Sequence, residues 1–109
     1  DRVIMHLGDC MDILPLMEGQ YDFIFLDGPK GQYPVLFNYC EKLLSKNGII
    51  ICDNVLYSGY ISGERSEIRK HRTIIKNMRN FIDERFCDKK YDTDLLEVGD
   101  GLLVAYKKD

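Results

Sequence analysis

Three short apolar runs, each closed by an acidic turn, constrain the fold of this chain more than any other feature. Val3-Ile4-Met5-His6-Leu7 stops at Gly8-Asp9, Tyr21-Asp22-Phe23-Ile24-Phe25-Leu26 stops at Asp27-Gly28-Pro29, and Ile49-Ile50-Ile51-Cys52 stops at Asp53-Asn54. Runs of this length bounded by turn residues fit strands, and nearly continuous ones fit strands covered on both faces. Helical patterns lie between them. Asp12 to Met17 reads as a short helix whose first turn tolerates Pro15. Pro34 opens a helix with Leu36, Tyr39, Leu43 and Leu44 on one stripe, and Asn47-Gly48 closes it. After a loop at 56–66, the spacing of Ile68, Ile75, Met78 and Ile82 predicts a helix from Ile68 to Phe86. Tyr91 to Val98 and Leu102 to Tyr106 flank Gly99-Asp100-Gly101, a hairpin signal. The predicted fold class is α/β: a mostly parallel sheet with helices on both faces, finished by an antiparallel hairpin.

The bounds agree with one small domain. The chain has 109 residues, of which 45% are apolar, and three prolines. No run approaches the roughly 20 apolar residues of a membrane helix, and no basic-then-apolar leader opens the chain. Its start inside an apolar run, without methionine, is expected of a piece of a longer protein. Cys10, Cys40, Cys52 and Cys87 form no C-x-x-C pair, which speaks against zinc knuckles and redox motifs and for free thiols in a reducing cytoplasm. The net charge of -3 is uneven, because residues 64–90 hold nine Lys/Arg against five Asp/Glu. Such a segment is either a solvated helix face or a contact for a phosphate-bearing partner.

In open α/β sheets, ligands sit beyond the carboxyl ends of the strands. Here those ends carry Asp9, Asp27, Asp53 and Asn54. Singly, each is an ordinary turn residue. Together, Asp27, Asp53 and Asn54 are hard oxygen donors without His or Cys beside them, a set suited to Mg²⁺ rather than zinc. Lys30, three residues after Asp27, is either a solvated loop lysine or a base whose pKa a neighbouring cation lowers. His6 and His71 read as structural.

The strings Y-D-F-I-F-L-D-G-P-K-G-Q-Y and G-I-I-I-C-D-N-V-L-Y-S-G, with the closing V-G-D-G-L-L-V-A-Y-K-K, resemble the metal-dependent O-methyltransferases related to catechol and caffeoyl-CoA O-methyltransferases. The resemblance implies a Rossmann-like methyltransferase sheet, with residues 1–109 as the C-terminal part of a single domain. It implies that Asp27, Asp53 and Asn54 are metal ligands and that Lys30 is the catalytic base. It sets Gly8, Asp9 and Cys10 against the adenine of S-adenosyl-L-methionine, with Asp27 also approaching that cofactor. Gly8-Asp9-Cys10 stands where the family has Gly-Asp-Ala, and Gly28-Pro29 departs from the usual turn. The family's upstream strands and acidic glycine-rich loop have no counterpart here; Gly59-Tyr60-Ile61-Ser62-Gly63 lies after the metal pair. The chain alone is therefore expected to bind the cofactor weakly.

K-G-Q-Y and K-H-R-T-I-I-K-N-M-R-N-F also resemble the bacterial subgroup that methylates 5-hydroxyuridine in tRNA. This implies a tRNA contact through Arg65, Arg69, Lys70, Arg72, Lys76 and Arg79. A small catechol-like or phenolic acceptor is the alternative, and family habit implies a homodimer. From other classes, a receiver-like module is opposed by the terminal hairpin and by the lack of a phosphate-cradling glycine loop. A non-catalytic α/β fragment remains the second.

Overall fold

The computed structural model describes residues 3–28, 30–56 and 72–108. Asp9 caps a short helix α1 (Cys10–Ile13), and a 3-10 turn at Leu14–Leu16 carries Pro15 where no amide donor is needed. Strand β1 (Tyr21–Leu26) follows, then a 3-10 turn at Lys30–Gln32 and helix α2 (Tyr33–Leu43) with Pro34 in its first turn. Strand β2 (Leu44–Asp53), helix α3 (Arg72–Cys87) and the hairpin strands β3 (Tyr91–Leu96) and β4 (Leu102–Lys107) complete the order. No helix among the described residues is long and apolar enough to cross a membrane.

The strands lie in the order β1-β2-β4-β3. β1 runs parallel to β2, with Leu26 beside Cys52, whereas β4 is antiparallel to both β2 and β3. Side chains alternate across a strand, so this register sorts residues into two faces. Ile24, Leu26, Ile50, Cys52, Leu103, Ala105 and Tyr91 share one face. There they meet Tyr33, Leu36, Phe37 and Cys40 of α2 and Met78, Phe81 and Ile82 of α3. Each large side chain buried here contributes about 1.5–3 kcal/mol. An aromatic chain runs beneath the sheet: Tyr33 to Phe81 at 6.1 Å, Phe81 to Phe37 at 5.7 Å, and Phe37 to Tyr91 at 5.5 Å. The Arg85 guanidinium lies 4.5 Å from the Phe37 ring centre. At the far end, Tyr91 donates to Glu41 Oε2 at 2.7 Å.

The structure corrects four expectations. Val3 to Leu7 forms no strand: Val3 and Leu7 are 82% and 97% exposed, and among the described residues no strand pairs with the segment. Extended apolar sequence needs a neighbour to complete its hydrogen bonds, and among the described residues β1 is paired on its β2 side alone. The sheet is accordingly mixed rather than mostly parallel, with one parallel pair and two antiparallel ones. Helices α2 and α3 cover one face rather than both, so Phe23 and Phe25 of β1 stay 57% and 52% exposed. Finally, α2 stops at Leu43, and Asn47-Gly48 lies inside β2, where Asn47 has φ 67° and the pairing with β1 is irregular. The predicted loop beyond Leu56, and the start of the third helix before Arg72, lie outside the described residues. The hairpin and the free thiols agree with expectation.

Burial pushes the Cys40 and Cys52 thiols up to about 11 and about 12, from an ordinary 9.0, and the Tyr33 phenol up to about 12. These raised values mean that the unfolded chain releases its protons first. Their contribution to stability is thus complete below about pH 9 and is lost as pH rises through 11 to 12. Urea melts should show midpoints that fall steadily from pH 9 upward; a flat alkaline limb would show that the thiols are not held in this core.

Candidate active site

The parallel pairing of β1 with β2 carries its register to the strand tips. Since Leu26 is the partner of Cys52, Asp27 and Asp53 each follow directly on a paired residue at adjacent strand ends. Asp53 lies on the sheet face opposite Cys52 and is half-buried, while Asp27 is exposed. Asn54 has φ 60°, a left-handed conformation that Asn tolerates better than most residues. Its backbone amide donates to Asp53 Oδ1 at 2.8 Å, which orients that carboxylate.

The hairpin turn holds this tip from the other side. Val55 donates to the Gly101 carbonyl at 3.3 Å and Leu56 to the Asp100 carbonyl at 2.9 Å. Gly101 has φ 92°, and a Cβ there would lie 2.4 Å from Leu56 Cγ. Only glycine lets the turn approach this closely. On the β1 side, a Cβ at Gly28 would meet Leu36 Cδ1 at 3.1 Å, which favours a glycine after Asp27.

The structure therefore brings Asp27, Asp53 and Asn54 to adjacent tips. Lys30 opens the 3-10 turn directly after Asp27; only its backbone position is described. Two carboxylates and one amide suit a hard cation that keeps several waters. No group of three or more His, Cys, Asp or Glu side chains suited to a metal occurs among the described residues. Gly8-Asp9-Cys10 lies at a helix start rather than at the end of a strand. Without a first strand, it is the entry to α1: Asp9 Oδ1 accepts from the Met11 amide at 2.9 Å, and Gly8 has φ 143°. Cys10 is half-buried against the core. Arg72, Lys76 and Arg79 lie exposed on α3 beside Asn80 and Asp83, around a shallow surface cavity of about 400 Å³. Arg65, Arg69, Lys70 and His71 lie outside the described residues.

Two contributors escaped the sequence reading. Gly101 was seen only as a turn residue, and Tyr33 only as part of a string. Tyr33 is fully buried, and its hydroxyl donates to the Asp53 carbonyl at 2.6 Å. A tyrosine among helix core positions signals such a partner, because a buried hydroxyl requires one.

Comparison with known proteins adds independent findings. The profile of a family described as O-methyltransferase matches residues 2–108. The protein named Probable caffeoyl-CoA O-methyltransferase 2 of Dictyostelium discoideum is 31% identical over 90 residues, covering 83% of this chain and 38% of that protein. Among solved structures, an SAH-bound methyltransferase from Podospora anserina has a TM-score of 0.83 and 30% identity, over 100% of this chain and 50% of its own. An O-methyltransferase from Bacillus cereus in complex with SAH has a TM-score of 0.74 and 25% identity, over 93% and 48%. The chain thus spans well under two thirds of the relatives it matches.

Substitutions at Asn54 and Gly101 test this geometry. Asn54→Val should lower stability by about 1–2 kcal/mol in urea melts, because a β-branched residue resists the left-handed conformation, whereas Asn54→Gly should cost little. Equal losses would mean that the conformation at 54 is not left-handed. Gly101→Ala should cost about 1–3 kcal/mol by overpacking, and part of that loss should return when Leu56 is shortened to Ala in the same chain.

Proposed function

The chain belongs to the O-methyltransferase family, and on that premise we propose that it carries the metal-binding tips and catalytic base of a Mg²⁺-dependent, S-adenosylmethionine-dependent transfer of a methyl group to an acceptor hydroxyl. The observation that carries this reading is the adjacency of Asp27 with Asp53-Asn54 at the carboxyl ends of a parallel strand pair. The SAH named for two solved relatives supports the choice of cofactor.

In this reading Asp27, Asp53 and Asn54 hold the cation, and Gly8-Asp9-Cys10 contacts the adenine through its backbone. When bound, the two groups supply a Lewis acid for the acceptor oxygen and an electrophilic methyl group. Lys30 takes the acceptor's proton onto Nζ, which requires a neutral amine; nearby positive charge favours that form. The remaining contribution of the chain is orientation, holding donor and acceptor in line.

The acceptor we propose is the hydroxyl of 5-hydroxyuridine in tRNA. Its support is the exposed series Arg72, Lys76 and Arg79 along α3, at spacings that share a helix face. A small phenolic acceptor is the second reading, favoured by the caffeoyl-CoA names among the relatives. Both acceptors can be offered to the protein carrying these residues, with labelled S-adenosylmethionine. Transfer should require Mg²⁺, stop with a chelator, and fall at least about hundredfold in Asp53→Asn. Transfer that ignores both the chelator and the substitution would overturn the metal reading. Charge reversal at Arg72 and Arg79 should weaken tRNA methylation while sparing the small acceptor; equal transfer to tRNA by that variant would favour the phenolic reading.

A further inference from the structure

Tyr33 occupies the first position of α2, immediately after the Lys30–Gln32 turn, and its ring packs 6.1 Å from Phe81. Its hydroxyl ties the start of α2 to the tip of β2. It donates to the Asp53 carbonyl at 2.6 Å, across 20 residues of sequence. We propose that Tyr33 is a positioning residue whose hydroxyl holds the tip bearing Asp53-Asn54 against the segment that follows Asp27, and so sets the spacing of the cation's ligands. This rests on the metal reading above.

The chemistry fits a tie rather than a reactive group. The ring is fully buried, and its hydroxyl faces a carbonyl oxygen, to which it can only donate. A phenylalanine ring would fill the same space against Phe81, yet would leave the Asp53 carbonyl without this partner. The β2 tip would then be held by strand pairing and by its hairpin contacts at Val55 and Leu56. Residues that orient metal ligands in this way commonly change affinity without touching the metal.

The test is titration of Mn²⁺ into the purified 109-residue chain, followed by the loss of the free-ion electron paramagnetic resonance signal. Tyr33→Phe should weaken Mn²⁺ binding about tenfold or more. Tyr91→Phe is the control for general loosening, since it removes another tyrosine hydroxyl bond, to Glu41, at the far end of the aromatic chain; it should leave binding unchanged. Wild-type affinity in Tyr33→Phe, or equal weakening in both variants, would overturn the proposal. Asp53→Asn distinguishes the two levels of the argument. If it binds like wild type, or if wild type does not bind, the metal reading fails and the tie fails with it; if Asp53→Asn loses binding while Tyr33→Phe keeps it, only the tie fails. Should Tyr33→Phe not fold, Mg²⁺ titration of the wild-type chain by proton resonance replaces it. The Tyr33 resonances should shift and those of Tyr91 should not; unmoved Tyr33 resonances would also overturn the proposal.

Discussion

Parallel pairing of β1 with β2, in the register that sets Leu26 beside Cys52, is the constraint on which the rest of the structure depends. A slip by one residue would exchange the faces of β1 and carry Asp27 away from Asp53. The register is not uniform. Tyr21 pairs with Leu44 and Phe23 with Ile49, so β2 takes up extra residues between these points, with Asn47 at φ 67°. This irregular stretch is tied down on both sides. Ser45 donates to Asp22 of β1 at 2.6 Å, Lys107 of β4 donates to the Leu44 carbonyl at 3.1 Å, and Tyr106 of β4 donates to Asn47 Oδ1 at 3.2 Å. The start of β2 absorbs the irregularity, and its end, where the candidate ligands lie, runs in regular register.

The same register divides the molecule into a dry face and an open one. On the dry face, α2 and α3 seal the sheet with an aromatic chain that ends at Tyr33, directly beneath the strand tips. On the open face, Phe23, Ile49 and Tyr106 form one cross-strand row, and Phe25, Ile51 and Val104 form the next. The site therefore lies where packing on one side of the sheet meets exposed chemistry at its edge. Rigidity reaches the ligands from below, through Tyr33, and from the hairpin, through Gly101 and Leu56.

The parts of the fold set by local sequence were legible before any coordinates. A continuous apolar run located β1, helical spacing located α2 and the core of α3, the Gly99-Asp100-Gly101 turn located the final hairpin, and the turn residues after two strands marked Asp27, Asp53 and Asn54. The failures are non-local. Val3 to Leu7 has the composition of a strand, but a strand exists only through a partner, and pairing is not written in a single segment. The continuous run Tyr21 to Leu26 reads as doubly covered, yet nothing within it states that α2 and α3 choose the same face. Asn47-Gly48 carries a helix-stop signal; here the left-handed residue serves a strand irregularity, and a Cβ on Gly48 would meet Leu44 Cδ1 at 2.6 Å. Tyr33 was invisible as a site residue because its partners are separated from it in sequence and meet it only in the folded sheet.

A neutral tie is the arrangement that suits such a site. A lysine or arginine in place of Tyr33 would set a positive charge beside the ligands and oppose a cation there, at a cost that rises with burial. A carboxylate would join the donor set and change its charge, and with it the preference for a cation that keeps its waters. A buried hydroxyl does neither. Its one observed bond is a donation to the Asp53 carbonyl of the β2 tip. On the proposed metal reading, the spacing of the candidate ligands would be set by a group that adds no charge, and the electrostatics of the tips would remain those of Asp27 and Asp53.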